Sequence, residues 1–390
     1  MKILDRPIRL IRELIILPIL IVMALLSRIL AKLRRIDVGL GPLPLINNIY
    51  HKDSIQLAGF SAETFVNKVY FIIQDFDIRI DQFFVNKNKI LRAMIGDIVT
   101  LYWIFFRYKS LIIYFDGIVF GRGSVFLWRM EPTLLKIAGI KVVVLPYGSD
   151  VQAMSRSNNL LFKNAMAIDY PNHKRRHSRI SKMIDLWTIQ SDHVISGCDW
   201  VDYMHHWDTL YPAHFSIRIP ARSEQKKIDR RLIKILHAPN HRTIKGTHFI
   251  IRAVQELKDE GIPFELVLAE RLPNSEIQRL INEADVIIDQ LIIGWYAMFA
   301  IEAMAQGKPV ICYLREDLIE LFKSTGTIDM SEELPIINSN INSLKSTLRN
   351  ISKNPDILTE KGLASYNFVK KFHSIEALSK VFASILKKLL

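Results

Sequence analysis

The chain is poor in the features that mark several large protein classes. Its 390 residues include two cysteines, Cys198 and Cys312, too few and too far apart for a disulfide framework or a zinc site. That scarcity favours a reducing compartment, the cytosol or the cytosolic face of a membrane. G-x-S-x-G, H-E-x-x-H and G-x-x-x-x-G-K-[ST] are all missing, which removes three common enzyme templates. There is no low-complexity stretch and no fixed-period repeat. A hydrophobic content of 49% with 23% charged residues excludes wholesale disorder. The net charge of +13 comes without a helix-turn-helix, zinc or aromatic-rich RNA motif. Charge alone attracts any polyanion, so no nucleic-acid partner is expected.

A membrane-spanning run is also lacking. The uncharged apolar run Leu14–Leu26 falls short of the roughly 18–20 residues that cross a bilayer. Pro18 inside it is expected to break or kink a helix. Basic residues lie on both flanks. Residues 1–35 carry Lys2, Arg6, Arg9, Arg12, Arg28, Lys32, Arg34 and Arg35 against Asp5 and Glu13, a net of +6. This pattern keeps both ends on the cytoplasmic side. It is compatible with a monotopic or re-entrant attachment to anionic lipid, a buried or short spanning helix, or a secretory signal. The first is favoured, because no A-x-A cleavage site follows. The expected location is the cytoplasmic face of the membrane, peripheral or monotopic.

What the chain does have is alternation. Ile233–His237, Phe264–Ala269, Asp285–Asp289 and Pro309–Tyr313 are short apolar runs. Between them lie amphipathic segments at Thr247–Glu260, Ser275–Glu283 and Tyr296–Gln306. Such alternation implies βαβ units and a parallel sheet covered on both faces. The amino-terminal half offers strands at Ile36–Leu40, Val69–Ile73, Ser110–Phe115 and Val142–Pro146, and helices at Ile46–Leu57, Ile90–Tyr108 and Glu131–Ala138. The polar stretch 221–230 reads as a linker. The expected division is a membrane-associating segment at 1–35, domains at 36–225 and 226–375, and a final helix at 376–390 that packs back on the first domain.

Ligands of parallel sheets bind at the carboxyl ends of the strands. Arg242, Lys245 and Gly246 sit in a turn at such an end, suited to a diphosphate by charge-assisted hydrogen bonds and a helix amino terminus. Gly294, Trp295 and Tyr296 lead into a second helix start. Glu302 lies within that helix, and an acceptor-only carboxylate suits a diol. In the first half, Tyr147, Ser149 and Asp150 follow a strand. Lys174, Arg175 and Arg176 form a basic cluster. Each has a plain alternative: a solvated turn, a helix cap, a core aromatic or a solvated helix face.

The turn His241-Arg-Thr-Ile-Lys-Gly246 and the block Ala300-Ile-Glu-Ala-Met-Ala-Gln-Gly-Lys-Pro-Val310 resemble the carboxyl-terminal domain of retaining, bacterial family-4 glycosyltransferases. These motifs cover about a fifth of the chain, while the domain plan fits nearly all of it. The resemblance implies an α/β GT-B fold, two Rossmann-like domains facing across a cleft. It implies transfer of a sugar from a nucleotide-diphosphate sugar to a membrane-associated glycan or lipid-linked acceptor in cell-surface polysaccharide synthesis. On it, Glu302 meets the ribose hydroxyls and Lys245 with Arg242 neutralises the diphosphate. Gly41, Gly246, Gly294, Trp295, Tyr296 and Asp289 border the donor, and Asp150 orients the acceptor hydroxyl. Tyr147, Ser149, Lys174, Arg175 and Arg176 face the acceptor or lipid. No metal and no cofactor is expected.

The chain departs from the family at two points. The family usually has two glutamates eight positions apart, and here the earlier one is Gly294. The family's Arg five residues before the lysine is Asn240 here. A sugar-nucleotide epimerase of the same fold, or a non-catalytic partner in a polysaccharide assembly complex, are the alternatives.

Overall fold

The computed structural model describes residues 6–69, 75–83, 89–121, 123–220, 232–329 and 334–390. The first half runs α1 (Arg6–Ile29), β1 (Ile36–Leu40), α2 (Ile46–Leu57), β2 (Ala62–Val66), β3 (Ile78–Arg79), α3 (Lys89–Arg107) and β4 (Tyr108–Ile113). It continues through α4 (Leu127–Ala138), β5 (Lys141–Val144), α5 (Leu160–Asp169), α6 (His177–Gln190), β6 (His193–Ser196) and β7 (Thr209–Leu210). The second half comprises β8 (Ile233–His237), the single turn α7 (Arg242–Lys245), α8 (Thr247–Asp259), β9 (Phe264–Leu268), α9 (Asn274–Glu283) and β10 (Val286–Ile288). Then come α10 (Met298–Ala305), β11 (Val310–Cys312), α11 (Glu316–Ser324), β12 (Ile337–Asn338), α12 (Leu344–Lys353), α13 (Asp356–Phe372) and α14 (Ile375–Leu389).

Among the described residues there are two sheets, with strand orders β3-β2-β1-β4-β5-β6-β7 and β12-β11-β10-β8-β9. Every strand pair is parallel. Strands covered on both faces are short, continuously apolar runs, which is why those of the second half were readable from sequence. Helix α8 buries Thr247, Ile250, Ala253, Val254 and Leu257, the three-and-four spacing of one helical face. The largest apolar core is shared by the two halves: Trp187, Cys198 and Ala213 from one and Trp295, Tyr296 and Phe322 from the other belong to it. Helix α14 returns to the first sheet, where Leu378, Phe382 and Leu386 join Val38, Leu40 and Ile55.

Several sequence expectations change. Strand β2 was not foreseen, because Glu63 and Thr64 interrupt its apolar character. Of the strand expected at Val69–Ile73, Val69 is irregular and the remainder lies outside the described residues, as does the linker at 221–230. Helix α1 is not broken at Pro18, which sits on its exposed side.

Helix α1 is long and apolar enough to cross a membrane by length and composition. It is nevertheless built into the fold. Its inner face buries Ile16, Leu20 and Ala24, and Arg12 pairs with Asp97 of α3. The Glu13 carboxylate accepts from the backbone N–H groups of Val125 (2.6 Å), Phe126 (2.8 Å) and Leu127 (3.1 Å). Those are the otherwise unpaired amides at the start of α4. Ser27 donates to the Phe105 carbonyl at 2.6 Å. The outer face leaves Ile8, Ile11, Ile15, Val22 and Ile29 exposed, Ile29 by 77%. Replacing Glu13 by Ala strands three amides, two half-buried and that of Leu127 fully buried. It is expected to cost roughly 3 kcal/mol, read as a lower urea midpoint. An unchanged midpoint would show that the Glu13 carboxylate contributes nothing to holding α4.

Candidate functional site

Strand β8 ends at His237, which is buried and bonds the Ile288 carbonyl through Nδ1 (2.8 Å) and the Thr247 hydroxyl through Nε2 (2.9 Å). Burial pushes its pKa down to about 4, so it is neutral at physiological pH and acts as a tie between β8, β10 and α8. The chain then makes the α7 turn and reaches Gly246 in a left-handed conformation (φ 76°), which ends that turn and starts α8. Lys245 projects from the turn to Asp289 at the end of β10, Nζ to Oδ1 2.6 Å, with the carboxylate almost fully buried. Arg242 points elsewhere, to an exposed pair with Glu270 (2.6 and 2.8 Å). Both cations expected at a diphosphate therefore already face carboxylates, and they do not converge.

The loop after β10 is organised by Gln290, whose buried amide donates to the carbonyls of Trp295 (3.0 Å) and Tyr313 (2.9 Å). Its oxygen accepts from Ile292 N and Ile293 N. Gly294 there has φ 101°, and a Cβ at that position would stand 2.6 Å from Cδ of Arg315. The Arg315 stem thus fills the space next to the missing glutamate. Its guanidinium donates to both oxygens of Asp202 in the first half (2.7 and 3.1 Å) and to Asp317. Trp295 and Tyr296 do not present rings to a ligand. They are buried, with the indole N–H donated to Pro212 (2.7 Å) and the phenol against His373 (3.1 Å). Pro212 of the first half and His373 of the second satisfy their polar atoms, and the expectation that these rings border the donor is corrected.

Glu302 faces a cavity of about 420 Å³ between the halves, lined by Tyr50, Ile217, Arg218 and Pro220 on one side and Asn274, Gln278, Asn282 and Gln306 on the other. Burial pushes its pKa up to about 7, opposed by a hydrogen bond with Gln278. The Tyr50 phenol is raised by burial and then by Glu302. Arg218 is held by Asp53 at 2.6 Å. Among the described residues lining this cavity, Lys245 does not occur. The Lys245–Asp289 pair lies outside this lining.

In the first half, Asp150 is buried and accepts from Phe115 N (3.2 Å), Tyr147 N (3.1 Å) and Gly148 N (2.9 Å). Burial, then Asp116, push its pKa up to about 7. It fixes the loops after β4 and β5 and does not reach an acceptor hydroxyl, contrary to expectation. The half-buried carboxylate at this rim is Asp116, which accepts from the Tyr147 hydroxyl at 2.9 Å; Ser149 reaches that hydroxyl at 3.2 Å. Gly41 is buried, and a Cβ there would meet the Phe65 carbonyl at 2.1 Å. The position therefore admits only glycine, because Phe65 packs against its backbone. Lys174, Arg175 and Arg176 are exposed just before α6. Tyr50, Arg218, Gln278 and Asp116 went unnoticed in the sequence, where no motif marks them.

No protein-family model matches the chain, and no curated protein sequence does. Solved structures do match its shape. Sucrose-phosphate synthase from Thermosynechococcus elongatus superposes with a TM-score of 0.54 at 12% identity, covering 91% of this chain and 99% of that one. HepE from Anabaena, solved with UDP and glucose, gives 0.51 at 9% identity, covering 90% of this chain and all of the other. A second HepE structure, with UDP-glucose, also gives 0.51. The chain has the GT-B fold, two α/β domains with a cleft between them.

Two expectations follow from this geometry. If Lys245 is a phosphate ligand held off by Asp289, Asp289→Asn frees its charge and should tighten UDP binding several-fold by calorimetry. Unchanged affinity would make the pair structural. Restoring the family's residue by Gly294→Glu should lower the melting temperature, because both the positive φ and the Arg315 stem oppose a side chain. A stable variant would show that Arg315 moves easily.

Proposed function

We propose that the protein is a glycosyltransferase that uses a nucleotide-diphosphate sugar. It acts at the cytoplasmic face of a membrane on a glycan or lipid-linked acceptor, as in cell-surface polysaccharide synthesis. The observation that carries this reading is Glu302, set in a cavity between the domains of a GT-B fold at the position where the resemblance puts a ribose ligand. A half-buried carboxylate flanked by Gln278, Asn274 and Tyr50 is well suited to a nucleoside diol. The exposed apolar face of α1, with Arg28 and Lys32 at its end, supports attachment to anionic lipid. In the retaining mode that the resemblance suggests, the donor phosphate helps take the acceptor proton. Catalysis then rests on positioning and on stabilising the leaving diphosphate, without a metal.

A second reading is favoured by one specific observation. Lys245 and Arg242 are both paired with carboxylates, and the space beside Gly294 is filled by Arg315. A non-catalytic partner in an assembly complex would tolerate all three. Turnover of a nucleotide sugar by the purified protein excludes it.

The deciding experiment is a thermal-shift titration of detergent-purified protein with UDP, GDP, ADP and CMP, beside Glu302→Ala. A ligand at about 100 times its Kd adds about 2.7 kcal/mol of stability. One nucleotide should shift the wild type and not the variant, and no shift with any of them would sink the proposal. The same titration carries a pH signature. The folded pKa of Glu302 lies above its unfolded value, so its contribution favours folding while it is protonated and is lost as pH rises through about 7. Glu302→Gln should therefore stabilise the free protein at pH 8 and not at pH 4. Nucleotide binding, which needs the carboxylate, should weaken as pH falls below 7.

A further inference from the structure

Two arginines, Arg9 and Arg179, hold one loop beside the amino-terminal end of α1, and a third, Arg129, lies close to Arg179. Arg9 donates to the Gly123 carbonyl at 3.1 Å, and Arg179 of α6 donates to the Gly121 carbonyl at 2.8 Å. The Arg179 guanidinium also lies 3.7 Å from the centre of the Trp128 indole, and that of Arg129 lies 4.3 Å from it. Two cations thus share one aromatic ring, which attracts each of them. They also repel one another: burial, then Arg129, pull the Arg179 pKa down to about 10. The Nε–H groups of Arg9 and Arg179 are buried and have no partner among the described residues.

The nearest buried carboxylates are already engaged. Glu13 holds the first amides of α4, and Glu131 accepts from Ile118, Val119 and Phe120. Crowded guanidinium groups with spare donors fit a multiply charged oxyanion, because the planar fork matches phosphate geometry. The surroundings indicate what carries that anion. Ile8 and Ile11, on either side of Arg9 along α1, are 51% and 59% exposed. A chain leaving the anion has apolar surface within about one helical pitch, ~5 Å. On the other side, Asp116 is close enough to raise the Arg179 pKa, and it holds Tyr147.

We propose that Arg129 and Arg179, which share the Trp128 ring, together with Arg9, which holds the adjoining loop, bind the phosphate or diphosphate head of a lipid-linked molecule whose chain lies along α1. Under the glycosyltransferase reading this molecule is the acceptor, and its head is held next to Asp116 and Tyr147. The assignment of the bound molecule as acceptor rests on that reading, whereas the binding itself does not.

The test is calorimetric titration of the full chain in detergent with farnesyl diphosphate, farnesol and inorganic pyrophosphate. Farnesyl diphosphate should bind at least tenfold more tightly than either of the others. Arg129→Gln and Arg179→Gln should each weaken it at least fivefold. Arg179→Gln also releases the loop at Gly121, so Arg129→Gln, a change to an exposed side chain, keeps the test sound if the former misfolds. Equal affinity in both variants would overturn the site. Pyrophosphate as tight as farnesyl diphosphate would overturn the lipid assignment in favour of a free anion. Arg129-dependent binding without any nucleotide shift would sustain this site while the catalytic reading fell.

Discussion

Arg315 is the residue on which the arrangement of the cleft depends. Its guanidinium is buried between Asp202 of the first half and Asp317 of the second, and its aliphatic stem lies against Gly294. A buried arginine is tolerated only when its donors are satisfied, because removing one partner leaves a charge without solvent. This residue therefore dictates three things at once. It fixes the approach of the two halves, the course of the loop after β10, and the absence of a side chain at position 294. The departure from the two-glutamate pattern is thus a coupled set of residues and not an isolated substitution.

The same economy of charge runs through the second half. Lys245 has Asp289, Arg242 has Glu270, and Lys345 sits between Glu256 and Glu260. In the first half, by contrast, Arg129 and Arg179 crowd over Trp128, and the Nε–H groups of Arg179 and Arg9 have no partner among the described residues. Nearly half of the excess positive charge of the chain lies in residues 1–35. The cavity at Glu302 is lined by the side chains of Tyr50, Asn274, Gln278, Asn282 and Gln306, suited to hydroxyl and amide recognition. The two regions ask for different parts of a ligand set.

Much of the second half was legible because its strands are buried on both faces and its helices carry one apolar face. The Glu302 motif was legible for the same reason: Ala300, Ile301, Ala303 and Met304 are buried, which leaves the carboxylate to face the cavity. Asp150 was misread because a carboxylate after a strand looks the same in sequence whether it meets solvent or three amides. Trp295 and Tyr296 were misread because their partners, Pro212 and His373, come from distant parts of the chain. The continuity of α1 through Pro18 was hidden as well. That helix is stabilised by α3 and α4, to which Arg12, Glu13 and Ser27 bind it, and local propensity does not decide its course.

The apolar core shared by both halves has a thermodynamic corollary. Separating the domains would expose the surface around Trp295 and Tyr296, and each 200 Å² bared costs about 5 kcal/mol. Such a molecule has no weak plane along which to melt in parts. Heat should dissolve both sheets in one cooperative step, and small ligands must enter through rearranged side chains while the two halves stay joined.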